Sequence, residues 1–252
     1  MKKYVLAAIG ATALMTAPVL AADMPAPAYK APPAMTMFNW NGIYIGGNGG
    51  IGWGRKCWNF QGTAAAPANV DEGCFDITGG VAGGQIGVNF QTGRFLFGLE
   101  FQGDWARLDG NRTSGATQFA AFNNRSQIDG FATFTGRLGY VLDTNLIYVK
   151  GGGVWARDRH TIRTTTTDVL SATESRFGWT VGGGYEFGFG PNWSLAFEYD
   201  YLALGTKTVG FTPVAAGFGA SNESIRQEIH TATVRLNYRF GGWGPNAVTA
   251  RY

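Results

Sequence analysis

In WSLAFEYDYLALG, residues 193–205, Trp193, Leu195, Phe197, Tyr199 and Tyr201 alternate with Ser194, Ala196, Glu198 and Asp200. Period two is the signature of a β-strand whose faces meet different surroundings. The same alternation runs through RFLFGLEFQGDWA, where Phe95, Phe97, Leu99, Phe101 and Trp105 oppose Leu96, Gly98, Glu100, Gln102 and Asp104. FATFTGRLGYVL sets Phe134, Leu138, Tyr140 and Leu142 against Thr133, Thr135 and Arg137, and TATVRLNYRF sets Val234, Leu236, Tyr238 and Phe240 against Thr233, Arg235, Asn237 and Arg239. Eight strand-like runs emerge, near 38–54, 76–90, 94–108, 127–142, 145–160, 173–189, 192–206 and 224–240. Soluble strands are typically ~5–6 residues long, whereas a tilted strand needs roughly 9–11 to cross a bilayer. Gly pairs and triplets blur the alternation at Gly46-Gly47, Gly83-Gly84, Gly151–Gly153 and Gly182–Gly184. Glycines in strands allow sharp curvature or the close approach of a bulky neighbour.

The connections alternate too. Tiny ones, Gln91-Thr92-Gly93, Asp143-Thr144-Asn145 and Gly190-Pro191-Asn192, follow the second, fourth and sixth runs. Long polar ones follow the first, third, fifth and seventh. An antiparallel up-and-down sheet collects short turns at one end and long loops at the other, as outer-membrane barrels do. The fold class expected is therefore all-β: an eight-stranded antiparallel up-and-down transmembrane β-barrel, over 38–240. A soluble eight-stranded barrel keeps an apolar interior for its ligand. Here the ring-bearing face faces lipid and the charged face lines the lumen. Backbone groups in lipid need partners within the protein, so the sheet must close. Trp40, Tyr44, Trp53, Trp105, Tyr140, Tyr148, Trp155, Trp193, Tyr201 and Tyr238 sit near run ends, where aromatic girdles are expected.

The amino terminus adds an address. Lys2 and Lys3 precede an apolar run from Tyr4 to Ala17, then Pro18 and the small-residue end Val19-Leu20-Ala21, the layout of a signal peptide over 1–21. Cleavage is expected after Ala21 or Ala22. Residues 22–37, with four of the nine prolines, read as an extended periplasmic linker. Lys and Arg number 20 against 17 Asp and Glu. Two of those lysines belong to the leader, so no basic surplus points to nucleic acid. In an exported chain the two cysteines, Cys57 and Cys74, are expected to form a disulfide, placed in the first external loop.

The signal peptide, the Pro-rich start, the NWNGIYIGGNGGIGWG opening strand and the HTATVRLNYRF closing strand resemble the alphaproteobacterial outer-membrane immunogenic proteins, small surface barrels often described as porins. The resemblance spans the mature chain. It implies surface exposure in a Gram-negative outer membrane and interaction with outer-membrane lipid and lipopolysaccharide, with porin activity or haemin binding in some members. Such chains often end at the last strand's aromatic, which the barrel-assembly machinery is thought to read. Here GGWGPNAVTARY, residues 241–252, follows Phe240, so Phe240 and Tyr252 both remain candidates.

The chemistry lies in the lumen. Glu100, Asp104, Glu186, Glu198 and Asp200 are expected to point inward against Arg137, Lys150, Arg235 and Arg239. An eight-stranded barrel is just wide enough for side chains to fill it. The set reads as a salt-bridged plug, or else as a narrow ion path. Each acidic strand, three and seven, adjoins a basic one, four and eight, so pairing between neighbours is expected. At the rim, Arg157, Arg159, Arg163 and Arg176 are candidate contacts for lipopolysaccharide phosphates. His160 and His230 are read as polar rim residues; a triad assembled across strands is only weakly signalled, axial haem ligation is a further option, and no CxxCH marks covalent haem. No enzyme activity, metal or cofactor is expected. Three classes stay open: a surface barrel serving envelope integrity and surface interaction, a small-solute porin, and a receptor for haemin or another ligand at the external loops.

Overall fold

The computed structural model describes residues 38–241 apart from 63–66, 115–121, 165–166 and 218. The leader, the linker and the extension after Phe240 lie outside the described residues, Gly241 excepted. Eight strands, β1 (Gly42–Gly62), β2 (Pro67–Thr92), β3 (Phe95–Thr113), β4 (Asn123–Leu142), β5 (Asn145–Arg163), β6 (Asp168–Phe189), β7 (Trp193–Pro213) and β8 (Ser221–Phe240), form a closed antiparallel barrel in sequence order. β1 closes it on β8, with Ile43 opposite Phe240 and Gly62 opposite Asn222. The tight turns after β2, β4 and β6 share the end that holds the N-terminus of β1 and the C-terminus of β8. Asp143 takes a positive φ of 57° in one of them, a conformation Asp tolerates better than most residues.

The strands are longer than the alternation suggests, because they continue past the membrane as paired hairpins. β1 reaches Gly62 and β2 resumes at Pro67; β5 reaches Arg163 and β6 resumes at Asp168. Much of the sequence expected as polar loop is thus strand. Polarity there marks water outside the barrel, not the absence of pairing.

Lipid-facing rings cover the lower barrel, among them Phe95, Phe97, Phe101, Phe134, Trp193, Phe197 and Tyr199. Trp53, Trp105, Trp155 and Trp179 form the outer aromatic girdle, Trp105 being 80% exposed. Three rings expected in the girdles face inward instead: Trp40, Tyr44 and Tyr148 are buried. The tyrosine hydroxyls have carboxylate partners there, which gives their polar ends a place off the interface. Their bulk is matched by glycines across the wall. A Cβ on Gly87 would lie 2.4 Å from the Tyr44 ring, and one on Gly184 would lie 2.6 Å from the Tyr148 hydroxyl.

Above the girdle the pattern inverts. Leu108, Ile128, Val154, Leu202, Leu204, Ile225 and Ile229 turn inward and pack around Trp58, Ile77 and Phe211, while Arg107, Arg125, Arg157 and Arg159 turn outward. Once water replaces lipid outside, the ordinary rule of apolar inside and charged outside returns. The interior is therefore mainly polar at membrane level and mainly apolar above it, apart from buried polar groups such as the charged cluster around Asp158.

Candidate functional site

The interior is filled at three levels. At the turn end, Phe38 and Trp40 precede β1 and lie inside the barrel mouth with Leu96, Val141, Leu146 and Tyr148. Arg239 lies over both rings, 4.5 Å from the Trp40 centroid and 5.1 Å from that of Phe38, within cation–π range.

At membrane level, Glu100, Asp104, Arg137, Lys150, Glu186, Glu198, Asp200, Arg235 and Arg239 all point inward and are buried. Arg235 bridges Glu100 and Glu198. Lys150 reaches the same two carboxylates, at 3.3 Å and 2.7 Å, and Asp200 at 3.4 Å. Tyr44 donates to Glu100 and Tyr148 to Glu198, each at 2.6 Å. Arg137 pairs with Glu186 and lies 3.6 Å from the centroid of the Tyr148 ring. Ser194 donates to Glu186 at 2.5 Å, and Arg239 approaches it to 3.7 Å. Gln102 joins Asp104 to Lys150. The expected pairing of neighbours holds for Glu198 with Arg235, on β7 and β8. It does not hold for Glu100 and Arg137. Glu100 is met by cations from β5 and β8, and Arg137 pairs with β6, because the lumen is narrow enough for long side chains to cross it. A buried charge without a partner is costly, and the crossing pairs give each carboxylate of this cluster a cation, a hydrogen-bond donor or both.

The third level, above the girdle, is a second buried polar cluster set into the apolar packing. Lys56 pairs with Asp158 at 3.1 Å, and Arg176 pairs with Asp158 at 3.5 Å and with Glu174 at 2.5 Å. Ser126 Oγ and His160 Nδ1 are 2.8 Å apart, and His160 Nε2 is 3.4 Å from Glu174. Arg176 was expected at the exposed rim; it is buried and donates to the Ile225 carbonyl at 2.7 Å. It occupies an even-numbered, inward place on β6, where Asp158 and Glu174 balance its charge. Arg157 and Arg159 are exposed, and Arg163 pairs with Asp168 at 2.7 Å.

Ser126, His160 and Glu174 have the residue types of a hydrolytic triad, but all their side chains are enclosed. Burial holds the imidazole pKa down at about 4, so the ring is neutral at ordinary pH. Asp158, His160 and Glu174 also form a ligand-like group, yet Lys56 and Arg176 already neutralise its carboxylates, so a metal dication would have to displace an ammonium and a guanidinium. Sequence reasoning missed this cluster because its members lie on β1, β4, β5, β6 and β8. The available signal was Lys56, Asp158 and Arg176 at inward parity. His230 faces outward, bonded to Tyr199 at 2.7 Å and stacked on Trp53 with a centroid spacing of 5.7 Å. Cys57 and Cys74 form a disulfide between directly opposed residues of β1 and β2. It lies within the paired hairpin and not in a loop.

Comparison with known proteins agrees with this geometry. Residues 9–240 match the model of the outer membrane protein beta-barrel domain. The chain is 30% identical to the 31 kDa outer-membrane immunogenic protein of Brucella melitensis, over 95% of this chain and 100% of that one. The Brucella suis protein of the same name gives the same figures. Among solved structures, the outer membrane protein OprG of Pseudomonas aeruginosa is similar with a TM-score of 0.44 at 8% identity, covering 81% of this chain and 99% of that one. The chain belongs to the outer-membrane β-barrel family, among the alphaproteobacterial outer-membrane immunogenic proteins, and its place is the outer membrane.

Proposed function

We propose that the protein is a closed surface barrel that supports envelope integrity and acts through its outer face, not through its lumen. The observation that carries this reading is the filling of the interior at all three levels. Phe38 and Trp40 lie at the turn end, the Glu100–Lys150–Glu198–Arg235 network at membrane level, and the Trp58 cluster above. Ion passage would require breaking buried charge pairs and displacing packed rings together. In planar bilayers the folded protein is expected to give no resolved channel steps. Steady ohmic conductance from the wild-type protein would favour the porin reading instead.

The partner proposed for the outer face is lipopolysaccharide. A groove of about 470 Å³ on the barrel exterior is lined by Trp105, Asp129, Gly130, Phe131, Trp155 and Arg157 together with Gly103 and the inward Asp104, the Asp129 charge being met by Arg159 at 3.5 Å. It sits where β4 carries an extra residue, Asp129, between Ile128 and Gly130. Arg107 flanks the adjoining hollow. Arg107 and Arg157 are exposed and make no ion pair among the described residues. Rings at acyl-chain depth below guanidiniums at phosphate depth suit an amphiphile with an anionic head. Replacing Arg107 and Arg157 together with Ala should weaken association with lipopolysaccharide-containing vesicles while leaving folding intact. Unchanged association would remove this half of the reading.

A further inference from the structure

A separate feature lies inside the outer mouth. Five strands and Phe122, just before β4, meet there around a cavity of about 150 Å³ lined by Phe60, Glu72, Phe122, Ile162, Leu170, Ser221 and Glu223. Glu223 lies opposite Phe60 on β1 and Val209 on β7, and it is 1% exposed. Its Oε2 has no hydrogen-bond partner, and neither have the Ser221 hydroxyl and the Asn124 side-chain oxygen. Asn124 donates its amide hydrogens to Glu72, so its oxygen remains. Among the described lining residues there is no Lys, Arg or His, and Glu72 is the one other titratable group. This contrasts with the lumen below, where every comparable carboxylate cluster has cations of its own.

Two carboxylates, spare oxygen acceptors and apolar walls form a cation site with a greasy side. A hard metal ion takes six or more oxygen ligands, or keeps its waters, whereas Phe60, Phe122, Ile162 and Leu170 make most of this wall apolar. A volume near 150 Å³ accepts a guest about the size of benzene, and aromatic faces attract organic cations. We propose that this cavity binds a small aliphatic ammonium ion, its head between Glu72 and Glu223 and its carbon chain against Phe60, Phe122, Ile162 and Leu170. The inference does not depend on the lumen being closed. In the empty cavity, burial first and the Glu72 charge second push the Glu223 carboxyl up to about 9. At neutral pH it is therefore protonated, and docking of an ammonium must drive the proton off.

The test is isothermal titration of the folded, full-length protein in detergent with n-butylammonium near neutral pH. One saturable site is expected, with release of about one proton, read as a dependence of the heat on the buffer's ionisation enthalpy. Glu223→Gln should weaken binding by at least about tenfold, while Glu228→Gln on the outer surface should leave it unchanged. Leu170→Trp, which fills the cavity without touching the carboxylates, should abolish binding and decides the matter if Glu223→Gln does not fold. The proposal is overturned by any of three results: no saturation up to about 50 mM ligand, wild-type affinity in a folded Glu223→Gln or Leu170→Trp variant, or saturation by magnesium alone with none by butylammonium.

Discussion

Glu198 stands at the centre of the membrane-level network, accepting from Lys150, Tyr148 and Arg235. Its neighbour Phe197 points to lipid and is 52% exposed. Glu198→Ala takes one carboxylate from both Lys150 and Arg235, leaving them to share Glu100 and Asp200 in a buried site, and should cost about 3 kcal/mol, measured by urea unfolding in micelles. Phe197→Leu keeps an apolar surface against lipid and should cost under about 1.5 kcal/mol. A reversal of that order would mean that the faces are assigned backwards. His160 gives a pH-dependent counterpart, and it lies beyond the girdle. Burial, with Lys56 next, holds its folded pKa at about 4, against ~6.5 in an unfolded chain. Between those values the unfolded chain binds more protons. The stability contributed by the neutral ring is complete above pH ~6.5 and falls by about 3 kcal/mol as the pH drops towards the folded pKa. His160→Gln should flatten the unfolding profile over that window, whereas His230→Gln should not. The inward carboxylates and guanidiniums were legible from parity alone. Their partners were not, since pairing across a lumen depends on which long side chains reach past the axis, and adjacency in the sheet does not record that.

At the scale of the strand, alternation located all eight elements but placed their outer ends too low. Between Arg107 and Gln127 the run is mostly polar, and its rings, Phe119 and Phe122, do not alternate at period two, so it reads as loop although both strands continue pairing to Thr113 and Asn123. The bulge at Asp129 was hidden for a related reason. One extra residue reverses the inward set of β4, so that Phe131 and Ile128 both face the interior, which simple period two forbids. The β1–β2 hairpin carries the disulfide in this projecting region. Its loop-closure contribution is about 3 kcal/mol when the hairpin ends are unpaired. Reduction should therefore raise amide exchange in 55–62 and 67–76 and leave 42–50 protected. Equal exchange with and without reductant would show that the ladder alone holds the hairpin.

For the whole molecule, the expectation of a wholly polar interior failed because the barrel stands in two solvents. The same inward row reads Lys150, Val154, Ala156 along β5, passing from ion pairs to apolar packing as the surroundings pass from lipid to water, before Asp158 and His160 bring a second polar cluster into that packing. The turn-end rings were missed as a plug because Trp40 and Tyr44 match an interfacial girdle in composition and only three dimensions turn them inward. The projecting hairpins carry a further consequence. Above the girdle, Asp109, Gln127, Arg159 and Thr173 lie side by side on four successive strands, all on the outer face. An antibody gripping that row reads a barcode written across the chain, with letters drawn from far-apart stretches. Its epitope exists only while the staves stay joined. Binding should vanish on boiled, unfolded protein and on every linear peptide from 109 to 173, yet persist after the loop tips are trimmed by protease.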